Sequence, residues 1–68
     1  MDYQARIYTK DGIITITELD AMIKTDYPKP KEAKQAIFEV CDKYDILGGQ
    51  IIKLDGQGHY KTVFNYIK

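Results

Sequence analysis

The chain has 68 residues, with 10 Lys+Arg balanced by 10 Asp+Glu, one Cys, one His, no Trp and no Ser. That length gives one small α+β-sized domain, residues 1–68, with no room for a second core or a deep two-lobed cleft. The lone Cys41 excludes an internal disulfide, and Cys41 with His59 is too small a set of soft ligands for a tetrahedral zinc site.

Residues 3–17 predict a β-hairpin turned at Asp11-Gly12, because a type I′ turn needs positive φ at both central positions. This register pairs Thr9 with Ile14, Ile7 with Ile16 and Arg6 with Thr17. It places Ala5, Ile7, Ile14 and Ile16 on one face, and Arg6, Tyr8, Lys10, Thr15 and Thr17 on the other. A short helix is expected next, capped by Thr17 with Asp20 at the third helical position, and with Leu19, Met22 and Ile23 on one face. Tyr27 before Pro28 ends it, and Pro30 suits the first turn of a second helix.

The second helix, about residues 30–45, has the clearest period. Ala33, Ala36, Ile37, Val40, Cys41 and Tyr44 form one apolar stripe, and Gly48-Gly49 is expected to end the helix. Strands near 50–54 and 59–67 then flank Asp55-Gly56-Gln57-Gly58, whose turn register stays open. Simple alternation puts Tyr60, Thr62, Phe64 and Tyr66 on one face of the last strand, and Lys61, Val63, Asn65 and Ile67 on the other. The expected fold is α+β in the order ββααββ: two hairpins form an antiparallel sheet, with two central helices on one face.

The zero net charge hides an uneven distribution. Residues 1–28 carry −2 and residues 35–50 carry −2. Residues 29–34 carry +2 through Lys29, Lys31 and Lys34, and residues 51–68 carry +2 through Lys53, Lys61 and Lys68. Positive charge therefore gathers at the start of the second helix and on the last hairpin.

From Thr15 to Ile67, about three quarters of the chain, the order of elements resembles a winged helix-turn-helix. A strand leads into a short helix (Ile16-Thr17-Glu18-Leu19-Asp20-Ala21-Met22-Ile23), then a longer helix and a Gly-turned hairpin. This compact layout is similar to small DNA-binding proteins of the phage excisionase and regulator type. The resemblance implies that the second helix enters the major groove while the hairpin wing reaches the neighbouring backbone. It implies DNA contacts at Lys29, Lys31, Lys34 and Gln35 on the helix, and at Lys53, Gln57, His59 and Lys61 on the wing. A Gln can read adenine bidentately, whereas lysines mostly neutralise phosphates.

A competing expectation is a protein-interaction module, such as a small phage-encoded inhibitor of a host defence complex. Six Tyr in the chain is a high count. Tyr8, Tyr27 and Phe38 are the residues that would anchor such an interface, since aromatic side chains supply apolar area with little rotamer entropy to lose. Phe38, flanked by Lys34, Gln35 and Asp42, fits either an interface anchor or a core position under the first hairpin.

Other chemistry is unpromising, and no enzyme, cofactor, metal or small-molecule substrate is expected. Cys41 lies on the apolar stripe, where a thiol is inert. Asp55-Gly56-Gln57-Gly58-His59 lacks the Lys-Ser/Thr ending of a phosphate-binding loop and the ligand spacing of a calcium loop. The longest apolar runs, such as Ala36-Ile37-Phe38, fall far short of the roughly 20 residues of a membrane span. Met1-Asp2-Tyr3-Gln4 holds neither the basic nor the apolar part of a secretory signal, so a cytoplasmic location is expected. The expected partners are DNA or a protein target, with a homodimer as a further way to stabilise so small a domain.

Overall fold

A computed structural model describes residues 3–68. Two strands, β1 (Tyr3–Thr9) and β4 (Gly48–Leu54), run antiparallel at the centre of the sheet, with Ala5 opposite Ile51 and Ile7 opposite Gly49. The outer strands are β2 (Gly12–Thr15) beside β1 and β5 (Tyr60–Ile67) beside β4, giving the order β2-β1-β4-β5. A two-residue strand, β3 (Asp26–Tyr27), pairs with Tyr3 and Gln4 of β1. The helices are α1 (Ile16–Leu19) and α2 (Pro30–Lys43). The domain is α+β with one antiparallel sheet. Its order is β-β-α-β-α-β-β, because β3 lies between the two helices.

The first hairpin forms two residues away from the expected register. Thr9 pairs with Gly12 and Ile7 with Ile14, so Lys10 and Asp11 make the turn. Only Gly12 takes a positive φ (126°) there, and the Thr9 hydroxyl closes the loop by donating to the Gly12 carbonyl at 2.8 Å. A slip of two residues keeps every side chain on its face. Ala5 and Ile7 are accordingly fully buried, as their alternation predicts; Ile16 is fully buried too, but as the first residue of α1 and not as a strand partner of Ile7.

The first helix is shorter than its apolar spacing implies. It is a single turn capped by Thr15, in a capping box with Glu18, and Thr17 instead hydrogen-bonds to Thr25 and to the Ile23 carbonyl. Asp20 stops it. Its backbone is extended, its carboxylate accepts from the Met22 N–H at 3.0 Å and the Tyr44 hydroxyl at 2.7 Å, and Lys43 pairs with it at 3.3 Å. Met22 therefore lies outside any helix and is 92% exposed.

The long helix matches its stripe. Ala33, Ala36, Ile37, Val40 and Cys41 are buried against Ala5, Ile7 and Ile51 of the sheet, and Tyr44 packs at the margin. Gly48 and Gly49 do not end this helix; they belong to β4, where close approach requires glycine. A Cβ on Gly48 would lie 2.0 Å from the Tyr66 carbonyl oxygen. One on Gly49 would lie 2.6 Å from the Arg6 carbonyl oxygen and 3.0 Å from Ile37 Cγ2.

The last hairpin departs most from simple alternation. Ile51 pairs with Phe64 but Ile52 pairs with Thr62, so Val63 is an extra residue in a β-bulge. Beyond the bulge Lys53 faces Lys61 and Leu54 faces Tyr60. The bulge exchanges faces: Phe64 and Tyr66 point towards α2 with Lys61, while Tyr60 and Thr62 lie on the opposite side. On that uncovered side Arg6 stacks over Tyr60, 5.3 Å from the ring centroid, and this stack crosses β4 above the fully buried Ile52. Among the described residues no helix is long and apolar enough to cross a membrane.

Candidate nucleic-acid interface

Three of the expected contact residues converge on one groove. Lys34 leans from the flank of α2 towards β5, and Lys53 and Lys61 project from β4 and β5 on the same side of the sheet. Together with Pro30, Tyr3 and Phe64 they line an open hollow of about 480 Å³, with Val63 at its rim. Two of the lysines rest on aromatic rings. The Lys34 ammonium is 4.6 Å from the Phe64 centroid and that of Lys53 is 5.8 Å from the Tyr3 centroid.

Lys34, Lys53 and Lys61 bring three positive charges to the groove, and Asp55 lines a neighbouring hollow with Lys53 and Lys61. Among the described residues the lysine–carboxylate ion pair is Lys43–Asp20, and it involves no groove lysine. Lys53 and Lys61 stand directly opposite each other, an arrangement unfavourable for like charges. Lys29 and Lys31 lie at the N-terminal end of α2, where the helix dipole is positive and disfavours cations, whereas Lys34 lies in the second turn, beyond its main reach. Glu32 offsets part of that. Of the two conflicts, the Lys53–Lys61 one lies in the groove.

The other expected contacts are distributed differently. Lys31 and Gln35 are exposed on the outer face of α2, which they share with Glu32, Glu39 and Asp42. Lys29 is the N-cap residue and makes no side-chain cap hydrogen bond. Gln57 and His59 belong to the hairpin tip, organised by Asp55: its carboxylate accepts from the Gln57 N–H at 2.8 Å and the His59 N–H at 3.2 Å. These donors, Gln57 first, hold the Asp55 carboxyl below its ordinary range. His59 Nδ1 lies 3.3 Å from the same carboxylate.

The aromatic alternative is altered by packing. Tyr27 is not exposed as its loop position suggests; it is 7% accessible, and its hydroxyl donates to the Lys24 carbonyl at 2.7 Å. Burial raises its pKa, with Glu39 and Glu32 adding to the effect. Tyr8 is half-buried on the uncovered sheet face, donating to Asn65 Oδ1 and accepting from Gln50 Nε2 at 2.9 Å. Phe38 is neither fully buried nor free: it is 40% exposed and meets Tyr66 and Phe64 edge-on, at centroid distances of 5.0 and 6.2 Å. Cys41 is buried, and desolvation raises its thiol pKa, which disfavours the reactive thiolate.

Sequence reading did not find Tyr3, Pro30, Val63 or Phe64 as groove residues. An alternating strand placed Phe64 and Lys61 on opposite faces; only the bulge at Val63 unites them. No protein-family model, no curated protein and no solved structure matches the chain.

Proposed function

We propose that the chain is a small non-enzymatic nucleic-acid-binding module that grips phosphates between the N-terminal half of α2 and the β4–β5 hairpin. In this reading the flank of α2 and the hairpin make the contacts, the same two elements that small winged-helix proteins use, without the helix entering a major groove. The observation that supports it best is the meeting of Lys34, Lys53 and Lys61 in one groove from three different elements. Structural needs alone do not favour that meeting, since it sets lysine against lysine across a strand pair. A polyanion in the groove relieves that conflict.

The neutral total charge limits long-range attraction, so binding rests on the local field and the affinity is modest. Neutralising three phosphates gives a slope of log K against log salt of roughly −2 to −3. The test is fluorescence anisotropy of a labelled oligonucleotide at low salt, comparing the parent chain with Lys34→Glu and Lys61→Glu. The reading requires each variant to weaken binding and to flatten the salt slope by about one. Unchanged affinity in both variants refutes it.

A further inference from the structure

The groove's lining specifies which form of nucleic acid it fits. It contains two copies of one arrangement, an aromatic ring with an ammonium over it: Phe64 with Lys34, and Tyr3 with Lys53. A polynucleotide strand has the complementary repeat, a flat base and a phosphate in each unit. The rest of the lining is Lys61, Pro30 and Val63. No Asn, Gln, Asp, Glu or Arg lines the groove, and the Tyr3 hydroxyl is its one side-chain acceptor, so the lining is poor in groups that discriminate base edges.

A duplex fits the same region poorly. Its bases are stacked inward and reach protein only as groove edges, and reading them needs a convex element inserted into the major groove. The convex surface here is the outer face of α2, where Glu32, Glu39 and Asp42 stand beside Lys31 and Gln35. Placing that face in a major groove sets three carboxylates near phosphates. The concave flank, with its lysines and rings, suits a strand whose bases are free to turn.

We infer that the groove takes a single-stranded polynucleotide, with bases stacked on Phe64 and Tyr3 and phosphates held by Lys34, Lys53 and Lys61, without sequence preference. This rests on the nucleic-acid reading above and narrows it. On binding, Lys34 and Lys53 move from the ring faces to phosphate oxygens, exposing the rings to bases. Base–aromatic stacking is sequence-tolerant because every base has a π-face.

The experiment compares four probes at low salt by anisotropy: oligothymidylate and oligouridylate of about 12 nucleotides, an abasic strand and a mixed-sequence duplex of the same length. The inference requires both base-bearing single strands to bind about fivefold or more tightly than the abasic strand and the duplex. It also requires upfield shifts of the Phe64 and Tyr3 ring protons when oligothymidylate is added to the unaltered protein, a readout independent of any variant's folding. Phe64→Leu and Tyr3→Leu should each lower single-strand affinity about fivefold or more, and lower abasic-strand affinity by a smaller factor. Equal binding of abasic and base-bearing strands, or preference for the duplex, overturns the inference while the nucleic-acid reading stands. No binding of any probe overturns both.

Discussion

Lys53 and Lys61 face each other across the β4–β5 pair, on the side of the sheet that carries α2. Cross-strand neighbours of like charge destabilise a sheet, whereas opposite charges there contribute about 0.2–1 kcal/mol. Lys61→Glu should therefore raise the urea midpoint, by up to about 1 kcal/mol in stability, while weakening oligonucleotide binding. A residue kept for stability alone behaves the other way. Urea unfolding and anisotropy on the same variant check the two halves, and a lowered midpoint with intact binding contradicts the account.

The placement of α1 and α2 predicts contrasting costs for two apolar residues of the helical region. Ile37 is fully buried between α2 and β4, so Ile37→Ala should cost about 2–5 kcal/mol. That is a large part of the roughly 3–10 kcal/mol expected for a domain of this size. Met22→Ala should change stability by less than about 0.5 kcal/mol, because the side chain is 92% exposed. Chemical denaturation measures both, and a large effect at Met22 contradicts the short α1.

The two glycines of β4 lie against backbone that has no room to yield. Gly48→Ala would set a Cβ 2.0 Å from the Tyr66 carbonyl oxygen and should separate β4 from β5, at a cost of about 3 kcal/mol or more. Gly49→Ala meets the Arg6 carbonyl at 2.6 Å and the buried Ile37 side chain at 3.0 Å, a shallower overlap, and should cost less, about 1–3 kcal/mol. Thermal or urea unfolding ranks them, and a reversed order contradicts this strand pairing.

The Asp20 carboxylate couples the end of α1 to the end of α2. The Tyr44 hydroxyl first, then the Met22 N–H and Lys43, lower its pKa below the ordinary 3.8. A carboxyl depressed in the folded state stabilises above its unfolded pKa, and that contribution is lost as pH falls through the folded value. Stability should thus fall below about pH 4, and Asp20→Asn should flatten that fall while lowering stability at neutral pH. Acid titrations followed by circular dichroism test this, and an unchanged acid profile in the variant contradicts it.

How much of this was legible in the residues depends on whether local pattern or distant contact decides. The α2 stripe is a local 3.6-residue period, and its buried residues follow from spacing alone. The faces of the first hairpin survive an error in its turn because a two-residue slip preserves parity. The end of α1 is set by Tyr44 and Lys43, more than twenty positions away, so the Leu19, Met22 and Ile23 spacing misleads. The bulge at Val63 is equally hidden, since Tyr60, Thr62, Phe64 and Tyr66 alternate without a break and only the pairing with β4 reveals it. The basic segments were visible as charge, but their convergence with Tyr3 and Phe64 needed that bulge.

The most direct test of the central claim is an amide-shift NMR titration of the labelled protein with oligothymidylate at low salt. The account predicts saturable shifts at Tyr3, at residues 31–35, and at Lys53 and residues 61–64, reversed as salt is raised. Shifts confined to the uncovered sheet face around Tyr8 and Ile67, or no shifts at high oligonucleotide excess, would contradict it.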